Sequence, residues 1–177
     1  MLRLNLVIPF PFLIQKFIIV NYKKNLNMEN SKQIDALNKL IEINNDRVEG
    51  YETASKEAKE TDLKSLFGEL AATSQKNTSE LRAEVTRLGG KPEEGTRVTG
   101  KFFRAWMDVK AAFTGNDRHT ILDSCEFGED KALETYDSVL ENATSDLTAE
   151  QTQLVSQQQT TLRADHDRVK ALRDATA

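Results

Sequence analysis

The side chains best suited to chemistry lie in one stretch, Cys125-Glu126-Phe127-Gly128-Glu129-Asp130-Lys131-Ala132-Leu133-Glu134-Thr135-Tyr136. Glu126 and Glu129 stand three residues apart, so a helix places both carboxylates on neighbouring positions of one face. Glu129 also falls in the apolar row, between Cys125 and Ala132. A charge there is costly unless it is paired, protonated or bound to a cation. If a tight turn joins residues 143 and 148, hairpin geometry sets Glu126 opposite Asp165 and His166, with Glu129 facing Leu162 about one turn away. Carboxylate and imidazole donors converging in this way suit iron or manganese. Glu49 and Tyr51, reaching a similar level from another helix, would complete the shell. Two other readings stand beside this one. The polar residues could form a layer that sets helix register, with His166 simply paired to Glu126, or they could contact a small ligand or a partner.

The metal reading meets a restriction. A dinuclear site in a four-helix bundle takes a Glu from each of two helices and a Glu-x-x-His from each of the other two. His119 and His166 are the chain's two histidines, and Arg163, not Glu, stands three residues before His166. A standard dinuclear centre is therefore not expected. A weaker or mononuclear site on Glu126, Glu129 and His166 stays open. Other chemistries have less support. Gly89-Gly90-Lys91-Pro92 reads as a helix stop rather than a phosphate loop. No Ser or Cys has a His base at helical spacing. The single cysteine, Cys125, excludes an intrachain disulfide and a Cys-based zinc cluster, and a small buried thiol is its expected role.

The elements that must position these groups are helices. All 3 Pro lie at or before Pro92, and helix formers are plentiful. Helix A is predicted over Ser31–Glu60 from Ile34, Leu37, Leu40, Ile41, Val48, Tyr51 and Ala58, with Thr61-Asp62 breaking it and capping the next. Helix B is predicted over Leu63–Leu88. A long connection, Lys91 to Asp117, holds a short helical piece, Lys101–Phe113, rich in Phe102, Phe103, Trp106, Met107 and Phe113. That aromatic group seals the crossover onto the bundle or forms an exposed docking patch. Helix C follows over Arg118–Glu141. Thr148-Ala149-Glu150-Gln151 is a capping box for helix D, which runs to Asp174. The apolar rows are interrupted by Asn44 and Ser55 in A, Ser74 and Asn77 or Thr78 in B, Glu129 in C, and Gln158 and Asp165 in D. Helices of about 25 residues give a bundle ~37 Å long. The A–B and C–D joints are tight and the B–C link is long enough to cross the bundle, which is the ferritin-like connectivity.

Residues 1–27 differ from the rest. They carry Arg3, Lys16, Lys23 and Lys24 and no acid, leaving residues 28–177 with 20 basic and 28 acidic side chains, a net of −8. An acidic body without a basic stripe argues against nucleic acid as the partner. Leu4–Val20 is apolar but only 17 residues long, and it contains Pro9, Pro11 and Lys16. That makes a poor membrane span, and no small-x-small cleavage site follows it. The expectation is an over-extended start, with translation from Met28. A membrane contact is expected only if residues 1–27 are made.

The motifs together resemble a bacterial family of ferritin-like four-helix bundles of unknown function. The resemblance covers about residues 31–175. It rests on Leu37 to Glu42 and Asp46 through Gly50-Tyr51 in helix A, and on Glu80-Leu81 and Leu88 to Glu93 around the end of helix B. Gly100, Arg104 and Trp106 match in the crossover. So do Glu126-x-Gly128-Glu129-Asp130-x-Ala132-Leu133 and Tyr136 in helix C, and His166-Asp167-x-Val169-x-x-Leu172-Arg173-Asp174 in helix D. The family commonly has His just before the crossover Arg, where this chain has Phe103. The resemblance implies the ferritin-like fold and no particular activity. The expectation is a single all-α, ferritin-like four-helix bundle in the cytoplasm. It acts without catalysis, through self-association or a protein partner, in a role such as stress physiology. The alternative is an iron- or manganese-binding protein using Glu126, Glu129 and His166 with Glu49 or Tyr51.

Overall fold

The computed structural model describes residues 10–96, 117–143 and 145–176. Four helices account for nearly all of them: α1 Phe10–Glu57, α2 Thr61–Arg87, α3 Arg118–Asn142 and α4 Ala149–Asp174. No strand occurs among the described residues. The short helix expected over Lys101–Phe113, with its aromatic group, lies outside them.

Three of the four helices sit within a residue or two of the expected bounds, because their ends are written in local chemistry. Thr148 and Gln151 form the capping box, with each side chain accepting the other's backbone N–H at 3.2 and 2.9 Å. Asp117 caps α3 by accepting the His119 N–H at 3.1 Å. At the end of α2, Gly89 takes φ +78°, a conformation that a Cβ disfavours. Gly90 N–H then reaches back to the Val85 carbonyl at 3.0 Å, and Gly89 N–H to that of Thr86 at 2.9 Å. Gly90 has a second reason to lack a side chain: a Cβ there would fall 2.7 Å from Ile34 Cδ1. The Thr61-Asp62 cap is corrected, since Thr61 opens the helix and Glu60 precedes it without a side-chain cap.

Helix α1 begins 21 residues earlier than the periodicity indicated. No residue between Pro11 and Ser31 stops a helix, and Pro11 itself falls in the first turn, where its missing N–H is harmless. Within this extension Phe17, Ile18, Ile19 and Val20 are 48–70% exposed. No helix among the described residues is long and apolar enough to cross a membrane.

Helix α1 packs against α2 and α3, and α4 against α3 and α2, each pair antiparallel. Contacts at the two ends establish the direction. Lys32 Nζ meets Asp146 Oδ1 at 2.9 Å near the α3–α4 turn. At the other end, Arg118 opens α3 beside Glu60 and Asp62, at 2.6 Å from Asp62 Oδ2. The chain leaving α2 is fastened along α1: the Asn38 side chain donates to Lys91 O and accepts from Glu93 N, and Asn45 donates to Gly95 O. The described ends of the link from α2 to α3 thus lie at different levels of the bundle, Lys91–Gly95 beside Asn38 and Asn45 and Arg118 beside Asp62.

The core is split in two. One apolar cluster contains Leu37, Leu40, Ile41, Leu81, Leu133, Val155 and Leu162. The other contains Ala54, Leu63, Leu66, Phe67, Leu70, Leu122 and Val169. Polar side chains from all four helices lie between them.

Candidate functional site

The polar zone is centred on Arg47, whose side chain is 1% exposed. Helix α1 turns Leu40, Asn44, Arg47, Tyr51 and Ala54 inward at spacings of three and four, and all five are buried. Opposite, α3 presents Glu129 with no exposed surface. Arg47 Nη2 bonds both carboxylate oxygens at 2.8 Å, and Nε bonds Oε1 at 3.1 Å. Such charge-assisted contacts satisfy a buried carboxylate well. From α2, Ser74 Oγ accepts from Arg47 Nη1 at 2.6 Å. From α4, Asp165 Oδ2 lies 3.5 Å from Nη2. Tyr51, one turn along α1, donates its hydroxyl to Glu129 Oε1. Its ring lies 5.5 Å from the guanidinium carbon and stacks on Phe67.

The electrostatics follow from burial and neighbours. Burial alone would lower the pKa of Arg47, but Glu129, Tyr51 and Asp165 together outweigh it and the net direction is up. Arg47 is a permanent interior cation. Burial, and then the charge of Glu129, push the Tyr51 hydroxyl and the Cys125 thiol well above their usual ranges. Cys125 is therefore an inert, protonated thiol. Asp165 is raised too, first by desolvation and then by Glu129, against the pull of Arg47. One guanidinium thus faces two carboxylates, and Glu129 holds it.

A raised folded-state pKa means that ionised Asp165 destabilises the fold relative to the unfolded chain, and that protonation at low pH relieves this. Asp165→Asn is therefore expected to match or exceed the parent in stability at pH 7. The advantage should vanish as pH falls below the carboxylate range. Urea titrations at pH 7 and pH 4 measure it, and a variant less stable at pH 7 than at pH 4, relative to parent, would contradict it.

A second buried layer lies one turn away. Tyr136 accepts from Asn44 Nδ2 at 2.7 Å and donates to Gln158 Oε1 at 2.9 Å. Gln158 Nε2 donates to Glu80 Oε2 at 2.9 Å and to the Asn77 carbonyl at 3.3 Å. Asn44, Asn77, Tyr136 and Gln158 thus answer one another, as buried polar groups generally require.

The sequence-derived ligands fall in different places. Glu129 and Tyr51 do meet, but in the layer held by Arg47. Glu126 and His166 meet at the α3–α4 rim, with Glu126 Oε1 3.9 Å from His166 Nε2. Asp130 Oδ1 is closer to the same nitrogen, at 3.1 Å, and Asp167 Oδ1 is 2.9 Å from Nδ1. Arg173 pairs with Glu126. Glu49 is exposed and joins neither group. No set of three or more His, Cys, Asp or Glu side chains among the described residues is arranged to hold a metal. Arg47 escaped the sequence reading, although its place between Asn44 and Tyr51, four helix positions from the latter, was visible.

Comparisons place this geometry among known proteins. The profile of the family described as "Domain of unknown function (DUF2383)" matches residues 32–142. Among solved structures, the chain is similar to one from Bacillus anthracis str. Ames described as "Crystal structure of ferritin like, diiron-carboxylate proteins". The likeness covers 84% of this chain and 98% of that one, with a TM-score of 0.60 and 16% identity. It establishes the ferritin-like bundle as the fold. No curated protein matches the chain significantly.

The diiron-carboxylate name of that neighbour raises the question of iron, and the donor set here does not fit a dinuclear centre. Such a centre needs four carboxylates and two imidazoles around the bundle axis. The corresponding interior here presents Glu129, Asp165, Tyr51 and Ser74 around a guanidinium, and His166 points to the rim.

Proposed function

We propose, for a chain that belongs to the DUF2383 family of domains of unknown function, that it works without catalysis, as a ferritin-like scaffold acting by association with itself or with a protein partner. The observation carrying this reading is the Arg47–Glu129 pair. It occupies the bundle interior with a cation of the chain's own and leaves the mid-bundle carboxylate fully engaged. Two shallow grooves, of about 250 and 280 Å³, open on the described surface. Activity by contact accords with such a surface, and a role in stress physiology is compatible with it.

One observation favours a second reading. At the rim, the His166 imidazole lies within 4 Å of Glu126 and Asp130, donor types that iron and manganese accept. Binding there would require Arg173 to leave Glu126.

One experiment separates the two. The purified chain, expressed with iron and manganese supplied, is assayed for metal by mass spectrometry and for molar mass by light scattering over a range of concentrations. The association reading expects negligible metal, unchanged in a Glu126→Ala, His166→Ala variant, and a mass above that of the monomer. Near-stoichiometric metal in the parent, lost in the variant, would overturn it in favour of the rim site. A monomer at every concentration that also captures no partner by cross-linking in cells would count against association.

A further inference from the structure

We infer that Arg47 is a covalently tethered counter-ion standing in a divalent-cation position, so that the interior of this bundle becomes a metal site when that one side chain is removed. The inference is independent of the association reading, because it concerns the interior and not the surface.

The first support is the composition of the shell. The guanidinium is surrounded by oxygen from three helices: both Glu129 oxygens at 2.8 Å, Ser74 Oγ at 2.6 Å and Asp165 Oδ2 at 3.5 Å. The hydroxyl of Tyr51 is added through Glu129. Carboxylate and hydroxyl oxygens are the donors that hard divalent ions select. A guanidinium can only donate, so every group facing it must be an acceptor. A site built for it is, of necessity, a site whose lone pairs point at a cation.

The second support is charge. Two carboxylates face one positive charge, and Glu129 takes the close bidentate contacts while Asp165 stands further off. A divalent ion would match both. The third is space. Truncating Arg47 to Ala removes the guanidinium and most of its stem from the centre of a layer whose walls come from four helices. The apolar clusters above and below hold those helices in place. The room left has polar walls, so water and an ion are its natural contents rather than an empty cavity.

The consequence for the parent chain is exclusion. Arginine stays charged at any pH a protein meets, and its tether gives it an effective concentration that a free ion cannot match. The interior therefore takes no metal at ordinary metal levels, although its oxygens are those that a metal would use.

The test uses Mn²⁺ as the probe and the full chain carrying His166→Ala, so that the rim group contributes nothing. Mn²⁺ binding is followed by electron paramagnetic resonance, and thermal unfolding by circular dichroism with and without the ion. The Arg47→Ala form should bind Mn²⁺ at one per chain, and its Tm should rise with Mn²⁺ concentration, as mass action requires. Adding Glu129→Gln should abolish both effects, and the form retaining Arg47 should show neither. If Arg47→Ala is unfolded without metal, Mn²⁺ should restore its helical spectrum. A folded Arg47→Ala that ignores Mn²⁺, or an unfolded one that Mn²⁺ does not restore, would overturn the inference. So would Mn²⁺ bound by the form that retains Arg47 and lost on Glu129→Gln.

Discussion

Glu129→Leu should lower the stability of the bundle by ~3–5 kcal/mol, the range found when one member of a buried ion pair is removed. The reason is what the substitution leaves behind. Arg47 stays charged and buried, with Ser74 and the more distant Asp165 as acceptors, and Tyr51 loses the acceptor for its hydroxyl. For a chain of this length each kcal/mol moves Tm by ~2–4 °C, so the change is large in either a urea or a thermal titration. The pair itself adds little over an apolar equivalent, since desolvation of both ions offsets most of their attraction. Arg47→Met with Glu129→Leu should therefore recover most of the loss, leaving the double variant far more stable than the sum of the singles predicts. The coupling should reach ~3 kcal/mol or more, at or beyond the upper end of the range for residues in direct contact. Additive effects of the two substitutions would mean that Arg47 and Glu129 do not depend on each other, and the description of the layer would be wrong.

Much of this arrangement was legible in the sequence, and the parts that were not have physical reasons. The capping box at Thr148 and the glycine stop at Gly89 are local, carried by a few adjacent residues, and the structure places them where the sequence did. Glu129 was visible as a charge in an apolar row, and it is fully buried. Its partner was not. Tracking α1 as a strict two-position seam led from Asn44 to Val48 and passed over Arg47. The buried face of a globular helix is wider than such a seam. Arg47 lies fully inside it, while Val48 and Ser55 are half-buried. A long basic side chain also reads as a surface residue by default, because its stem can lie along apolar surface with the head in water. The signal that could have identified it was the requirement at Glu129: an enclosed carboxylate needs a cation, and the row Asn44-Arg47-Tyr51 offered one. The N-terminal limit of α1 failed for the opposite reason. Periodicity locates only the packed part of a helix, whereas helices end at stop signals, and none stands between Pro11 and Ser31.

Phe67→Ala is expected to destabilise the protein by ~3–5 kcal/mol, in the upper range for loss of a buried aromatic side chain. Phe67 has no exposed surface and lies in the cluster with Leu63, Leu66, Leu70, Leu122, Cys125 and Val169. Its removal opens a cavity in this cluster, beneath Tyr51 of α1, that rigid helices cannot close. The effect extends to the ion-pair layer because Phe67 is the platform under Tyr51. The two rings stack with centroids 5.9 Å apart and planes 18° apart, and the Tyr51 hydroxyl is bonded to Glu129. Two comparisons distinguish cavity from platform. Phe67→Leu keeps most of the apolar volume and should cost much less. Tyr51→Phe keeps the stack but removes a hydrogen bond to a charged group, so it should cost ~1.5–3 kcal/mol, with Arg47 still bonded to Glu129 Oε1. If Phe67 positions Tyr51, combining Phe67→Ala with Tyr51→Phe should lose less than the sum, because the first substitution has already loosened the bond that the second removes. Strict additivity would confine Phe67 to packing. A loss below about 1 kcal/mol for Phe67→Ala, the size of an ordinary substitution, would show that the lower cluster is not closely packed. The stability of the buried charge layer would then have to come from the upper cluster alone.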